Sequence, residues 1–106
     1  MNIKFNSQYL SDLSESLKVG GKPKFSKSVI IGFKAVLKTI RLVESSKDLY
    51  RFKGLYFKKL KGDLEGYYSL RVDKKYRLII SIEKDEVLVQ KIETAVIEDL
   101  TNHYGD

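Results

Sequence analysis

Residues 60–82 read Leu60-Lys61-Gly62-Asp63-Leu64-Glu65-Gly66-Tyr67-Tyr68-Ser69-Leu70-Arg71-Val72-Asp73-Lys74-Lys75-Tyr76-Arg77-Leu78-Ile79-Ile80-Ser81-Ile82, and this stretch decides the fold. Tyr68, Leu70 and Val72 fall on one side of an extended chain and Tyr67, Ser69 and Arg71 on the other, the period of two expected of a strand with one buried face. Asp73-Lys74-Lys75 has turn composition. Tyr76, Leu78, Ile80 and Ile82 then alternate against Arg77, Ile79 and Ser81. A second turn over Glu83 to Glu86 leads into Val87-Leu88-Val89-Gln90-Lys91-Ile92, which predicts three strands in an antiparallel meander. One face of that sheet is apolar enough to receive helices. The other carries Tyr67, Arg71 and Arg77, and guanidiniums beside an aromatic ring suit a phosphate backbone.

Upstream the period changes to that of a helix. Tyr9, Leu10, Leu13 and Leu17 recur at helical spacing after Ser7, and Gly20-Gly21-Lys22-Pro23 is expected to end that segment. A second helix begins near Ser26 or Ser28 and gathers Val29, Ile30, Phe33, Val36, Leu37, Ile40 and Val43 into one stripe, with Lys34, Lys38 and Arg41 to the side. The two helices read as an antiparallel pair sharing one apolar face. Asn2-Ile3-Lys4-Phe5 alternates briefly, as a short edge strand does, and Thr94 to Asp106 reads as a helical turn or an irregular tail. The expectation is one α+β domain over residues 1–106.

Composition narrows the function. The 106 residues include no Cys and a single His, which removes thiolate metal sites, cysteine nucleophiles and disulfides and makes a zinc site improbable. No apolar run approaches the roughly 18 residues of a membrane span, so a cytoplasmic protein without cofactor or membrane partner is expected. The formal net charge is +6, and it is unevenly spread. Residues 47–77 carry 10 Lys and Arg against 4 Asp and Glu, whereas residues 78–106 carry 2 against 7. A basic body with an acidic end favours a polyanionic partner, nucleic acid first.

The segment from Leu55 to Gly66 places Lys58, Lys59 and Lys61 beside Gly62, either as point charges for phosphate or as the solubilising lysines of a connection. It lacks the GxxxxGK[ST] pattern of a Walker loop. Acid or base work near neutral pH falls to His103, a lysine, a carboxylate or a tyrosine. Glu83 with Asp85 and Glu98 with Asp99 read as solvated carboxylates, and no nucleophile elbow surrounds any Ser.

The Lys61-Gly62-Asp63 triplet, then Gly66, then Tyr68-Ser69-Leu70-Arg71, then Tyr76-Arg77, together with Arg51-Phe52-Lys53-Gly54-Leu55 before them, resembles the signature of HigB-type toxins of the RelE/ParE superfamily. Leu100-Thr101-Asn102-His103-Tyr104 is similar to the short His-containing tail that closes many of them. The resemblance implies a short first strand, two antiparallel helices and an antiparallel meander. It further implies a ribosome-dependent, metal-independent endoribonuclease that cuts messenger RNA in the decoding site of the small subunit, neutralised by a HigA-like helix-turn-helix antitoxin.

Carried over by position, Arg77 is expected to clamp the scissile phosphate and Lys61 to stabilise developing charge. His103 is the implied general acid or base, with Tyr104 a second candidate. Lys58 stands where the family often has His, a departure that replaces a good proton shuttle with a poorer one. Arg71, Tyr67 and Lys59 are expected RNA contacts, and Lys34, Lys38 and Arg41 either contact ribosomal RNA or solvate the second helix. The alternative is a ParE-like toxin that poisons DNA gyrase without cutting RNA, since one fold hosts both activities.

Overall fold

The computed structural model describes residues 1–15 and 24–103. A short strand β1 (Asn2–Phe5) leads to helices α1 (Gln8–Glu15) and α2 (Lys27–Leu42). Two 3₁₀ turns, Ser46–Arg51 and Lys53–Leu55, precede β2 (Lys58–Lys59). A third turn (Gly62–Leu64) precedes β3 (Tyr68–Arg71), β4 (Arg77–Val87) and β5 (Gln90–Thr101). The five strands form one sheet in the order β1-β5-β4-β3-β2, parallel between β1 and β5 and antiparallel elsewhere.

Each helix starts where a serine accepts an otherwise orphaned N–H. Ser7 Oγ accepts from Leu10 N at 3.1 Å, and Ser26 Oγ from Val29 N at 3.3 Å, so Ser26 rather than Ser28 caps α2. All seven residues of the predicted α2 stripe, from Val29 to Val43, are buried. The expected continuation of the first helix through Leu17 and its stop at Gly20-Gly21-Lys22-Pro23 lie outside the described residues. No helix among the described residues is long and apolar enough to cross a membrane.

The inward-facing residues of the sheet are those expected, although Ser69 and Ile79 on the other face are buried as well. Register aligns Leu70 with Leu78 and Leu100, and Ile80 with Ile97, and these side chains share the core with Leu10, Leu13 and the α2 stripe. The helices therefore cover one face of the sheet, here the inner face, and leave the outer face to Ser69, Arg71, Arg77, Ile79 and Ser81.

Three expectations need correction. Glu83 to Glu86 is not a turn but the distal half of β4, paired with Lys91 to Thr94; both faces of the ribbon are solvated there, so no apolar alternation marks it. The reversal falls instead at Leu88-Val89, where Leu88 takes φ +59°. Thr94 onward is strand as far as Thr101. Its period is broken by a bulge opposite Ile79/Ile80, which gives β5 an extra residue, Glu98, between two inward-facing positions. Glu98 is not simply solvated, for it accepts from Ser81 Oγ at 2.6 Å and Asn6 Nδ2 at 2.8 Å. Glu83 forms an exposed ion pair with Lys4 at 3.5 Å.

Candidate functional site

The outer face is organised around two like charges. Register sets Arg71 directly opposite Arg77 across β3 and β4, and Arg77 opposite Thr101 on β5. Opposed guanidiniums repel, so the surrounding chain must hold them in place. The backbone carbonyl of Asp73 accepts from Arg71 Nε at 3.2 Å and from Arg77 Nη1 at 3.4 Å. The ring of Tyr56 lies beside the other partner, its centroid 5.2 Å from Arg71 Cζ, within reach of a cation–π contact.

Asp73 can aim its carbonyl because its own carboxylate ties the β3–β4 turn. Oδ1 accepts from the backbone N–H groups of Lys75 at 2.8 Å and Tyr76 at 2.7 Å, an Asx-turn that replaces backbone bonding in a four-residue reversal. Val72 N donates to Tyr76 O at 3.0 Å and closes it. Both arginines are half-buried, and among the described residues these are the only hydrogen bonds of their side chains. A guanidinium carries five N–H donors, so most of each fork remains for an incoming anion.

The other expected site residues divide into two groups. Lys58 opposes Ser69 on β3 and so shares the outer face with the arginines, two residues along from Arg71. His103 follows Thr101, the register partner of Arg77, by two residues, and its N–H donates to Thr101 Oγ1 at 3.0 Å. That bond folds the chain back at the arginine end of the sheet and leaves the residue exposed. Lys58, Arg71 and Arg77 thus share one face of the sheet, and His103 follows β5 at the arginine end.

Lys61, Lys59 and Tyr67 are placed differently. Leu60 N donates to Tyr67 O at 2.9 Å, which closes the β2–β3 hairpin and puts Lys61 beyond it, before the Gly62–Leu64 turn. A strand rises about 3.3 Å per residue, so the four residues from Tyr67 to Arg71 set the backbone of Leu60 about 13 Å from the arginine pair along β3, with that of Lys61 one residue farther. Lys59 pairs with Tyr68, whose ring packs on the core side against Phe57, and is exposed at the sheet edge. Tyr67 is half-buried and donates its N–H to Leu64 O at 3.0 Å. Lys34, Lys38 and Arg41 ride on α2, across the sheet from the arginines, and do not join the site. Tyr104 lies outside the described residues.

Two participants are not identifiable by motif. Tyr56 sits in a run of aromatics whose alternation is broken, and only its left-handed backbone, φ +47°, turns it toward Arg71. Asp73 has turn composition in sequence, but its contact with two arginines arises from the strand pairing. The two arginines of the site are half-buried, while Lys58 and His103 are exposed. A recess of about 490 Å³ lies elsewhere, where Ser46 and Lys47 face Lys84 and Lys91. Among the described residues no group of three or more His, Asp or Glu is placed to hold a metal ion.

The family model for HigB-like toxins, described as RelE-like toxins of type II toxin-antitoxin systems, matches residues 3–94. No curated protein matches the chain. Solved structures share the fold. A YoeB/ParE toxin from Agrobacterium tumefaciens superposes with a TM-score of 0.61 at 13% identity, over 98% of this chain and 100% of that one. YafQ from E. coli strain BL21(DE3) gives 0.57 at 13%, over 96% and 92%. The YoeB-YefM toxin-antitoxin complex from Staphylococcus aureus, a heterotetramer, gives 0.54 at 23%, over 98% of each chain.

Proposed function

The chain belongs to the HigB-like family of RelE-like type II toxins, and from that membership we propose that it is a ribosome-dependent endoribonuclease that cuts messenger RNA in the decoding site of the small subunit. The observation that carries this reading is the Arg71–Arg77 pair, two cations set opposite each other across β3 and β4 and sharing the Asp73 carbonyl. A phosphodiester that becomes a dianionic phosphorane in its transition state is the ligand such a pair stabilises most, because its charge rises as the reaction proceeds.

The ribose 2′-OH loses its proton to a base, its oxygen bonds to the adjacent phosphorus, and the bond from phosphorus to the 5′-oxygen breaks. The leaving oxygen takes a proton, giving a 2′,3′-cyclic phosphate and a 5′-hydroxyl. Arg77 holds the scissile phosphate, with Arg71 beside it. His103, the single imidazole of the chain, moves a proton at the same end of the sheet. Lys58 offers an ammonium to the developing charge from the next strand but one. Alignment of the nucleophile with the phosphorus is left to the ribosome, which explains why free RNA is not the expected substrate. Lys61, whose backbone is more than about 13 Å away along β3 by strand rise, serves the RNA backbone rather than the reacting phosphorus. A helix-turn-helix antitoxin of the HigA kind is the proposed partner, and the reading frame adjacent to the gene should encode it.

Primer extension on a defined message programmed into purified ribosomes tests the reading. Discrete cuts in the decoding site that need the ribosome and disappear with Arg77→Ala and His103→Ala are expected. Absence of cutting by protein that still arrests growth would move the target to a protein such as gyrase.

A further inference from the structure

Tyr56 is held in a conformation its own chemistry does not favour. Its φ and ψ are 47° and 46°, the left-handed region that bulky L residues rarely adopt. Its neighbours hold it there, since it closes the Lys53–Leu55 turn with its N–H donating to Lys53 O at 3.2 Å and lies between two buried residues, Leu55 and Phe57. They do not explain why a large aromatic occupies the position. The side chain is 59% exposed, and no other aromatic ring of the described residues packs on it. By contrast the nearby Tyr50 ring packs edge-on against Phe57 at 4.7 Å. The Arg71 guanidinium lies over the Tyr56 ring at 5.2 Å, and Arg71 is half of the arginine pair.

We propose that Tyr56 is a nucleobase-stacking residue, its open surface receiving an unpaired base of the RNA strand whose phosphate Arg71 and Arg77 hold. The inference rests on the nuclease reading and adds the subsite that reads the base. A flat ring at a fixed distance from a phosphate-binding cation matches a nucleotide, in which one ribose separates phosphate from base. Stacking on an aromatic tolerates any base and orders the strand beside the reacting phosphodiester. The cation on one side of the ring also restricts its rotation before RNA arrives.

The test uses fluorescence anisotropy with fluorescein-labelled, fully 2′-O-methylated hexaribonucleotides, which cannot be cleaved, at low salt, comparing intact strands with strands carrying one abasic position scanned along the sequence. Tyr56→Ala should weaken binding of the intact strand roughly tenfold, in the range known for single base–aromatic stacks, and leave one abasic strand within twofold of wild type. Tyr56→Phe should bind as wild type. Tyr56→Gly, which suits the left-handed backbone, should reproduce the loss if the alanine variant folds poorly. Equal weakening on intact and every abasic strand would mean the ring only positions Arg71 and would overturn the proposal. No weakening on any strand, with Arg77→Ala still defective, would overturn it while leaving the RNA face intact and assign the exposed ring to a protein partner. If wild type and Arg77→Ala bind equally, the arginine face is no RNA site and both readings fall.

Discussion

Gly32 provides a test in which helix propensity and packing predict opposite signs. It lies inside α2, where glycine costs about 1 kcal/mol relative to alanine, so Gly32→Ala should stabilise the protein if nothing stood nearby. A Cβ built there meets Val72 O at 2.9 Å and Val72 Cγ1 at 3.0 Å. The first of these is backbone, and it cannot rotate away. Val72 is anchored by its N–H to Tyr76 O at 3.0 Å and immediately precedes Asp73. Overpacking of a fixed contact costs about 1 to 3 kcal/mol, which exceeds the propensity gain, and the expected net effect is a loss of about 1 kcal/mol. For a chain of this size that lowers Tm by about 4–8 °C, read by thermal or urea unfolding. The displaced turn would also shift the Asp73 carbonyl between Arg71 and Arg77, so ribosome-programmed cleavage should fall more than stability does. A variant that melts higher than wild type would refute the reasoning, because helix propensity would then have prevailed and the Val72 approach would be slack.

Further substitutions probe other parts of the design. Asp73→Ala removes the acceptor for Lys75 N and Tyr76 N; a loss of about 1–3 kcal/mol is expected, with reduced cleavage, whereas Asp73→Asn keeps a side-chain oxygen and should recover most of both in parallel melting and cleavage assays. Leu88→Gly relieves a residue at φ +59° that is 92% exposed, so urea unfolding should show no loss and a gain of up to about 1 kcal/mol. Phe33→Ala empties a fully buried position between α2 and the sheet and should cost about 3–5 kcal/mol; a smaller loss would mean that the helices are not seated as described.

The parts of the fold legible in sequence are those with one wet face and one dry one. Tyr68, Leu70, Tyr76, Leu78, Ile80 and Ile82 keep the period of a strand on either side of the Asp73-Lys74-Lys75 turn, Ile79 alone being apolar on the other face, and the α2 stripe from Val29 to Val43 is regular; strand, turn and helix follow directly. Legibility fails where that contrast fails. Glu83 to Glu86 has solvent on both sides, so a strand there resembles a turn. Val96 and Ile97 are consecutive apolar residues, Glu98 is a bulge residue with polar partners, and the β5 period disappears at the point where the strand bends. Lys58-Lys59 is a two-residue edge strand whose pairing with Ser69 and Tyr68 is set by its neighbours rather than by its own side chains. Arg71 and Arg77 could be placed on one face by parity alone. Their direct opposition could not, because register depends on the length of the Val72–Tyr76 reversal and on the Asp73 carboxylate that closes it.

That opposition accounts for the division of labour across the molecule. A pair of opposed cations is unfavourable in the empty protein, and its repulsion is offset by one carbonyl, one aromatic ring and the stability of the core beneath. In the proposed reaction a bound phosphate would remove the repulsion, so the pair would gain more from a dianionic transition state than an isolated arginine. The helices contribute by fixing the opposite face: Leu70 and Leu78, next to the two arginines in the chain, are wholly buried against them, so neither guanidinium can retreat by a slip of its strand without exposing a leucine. On the proposed mechanism proton transfer falls to one exposed imidazole at the end of β5. A site of that composition would hold charge strongly and align nucleophile and leaving group weakly, which is why the proposed reaction needs a scaffold that presents the RNA already bent for in-line attack.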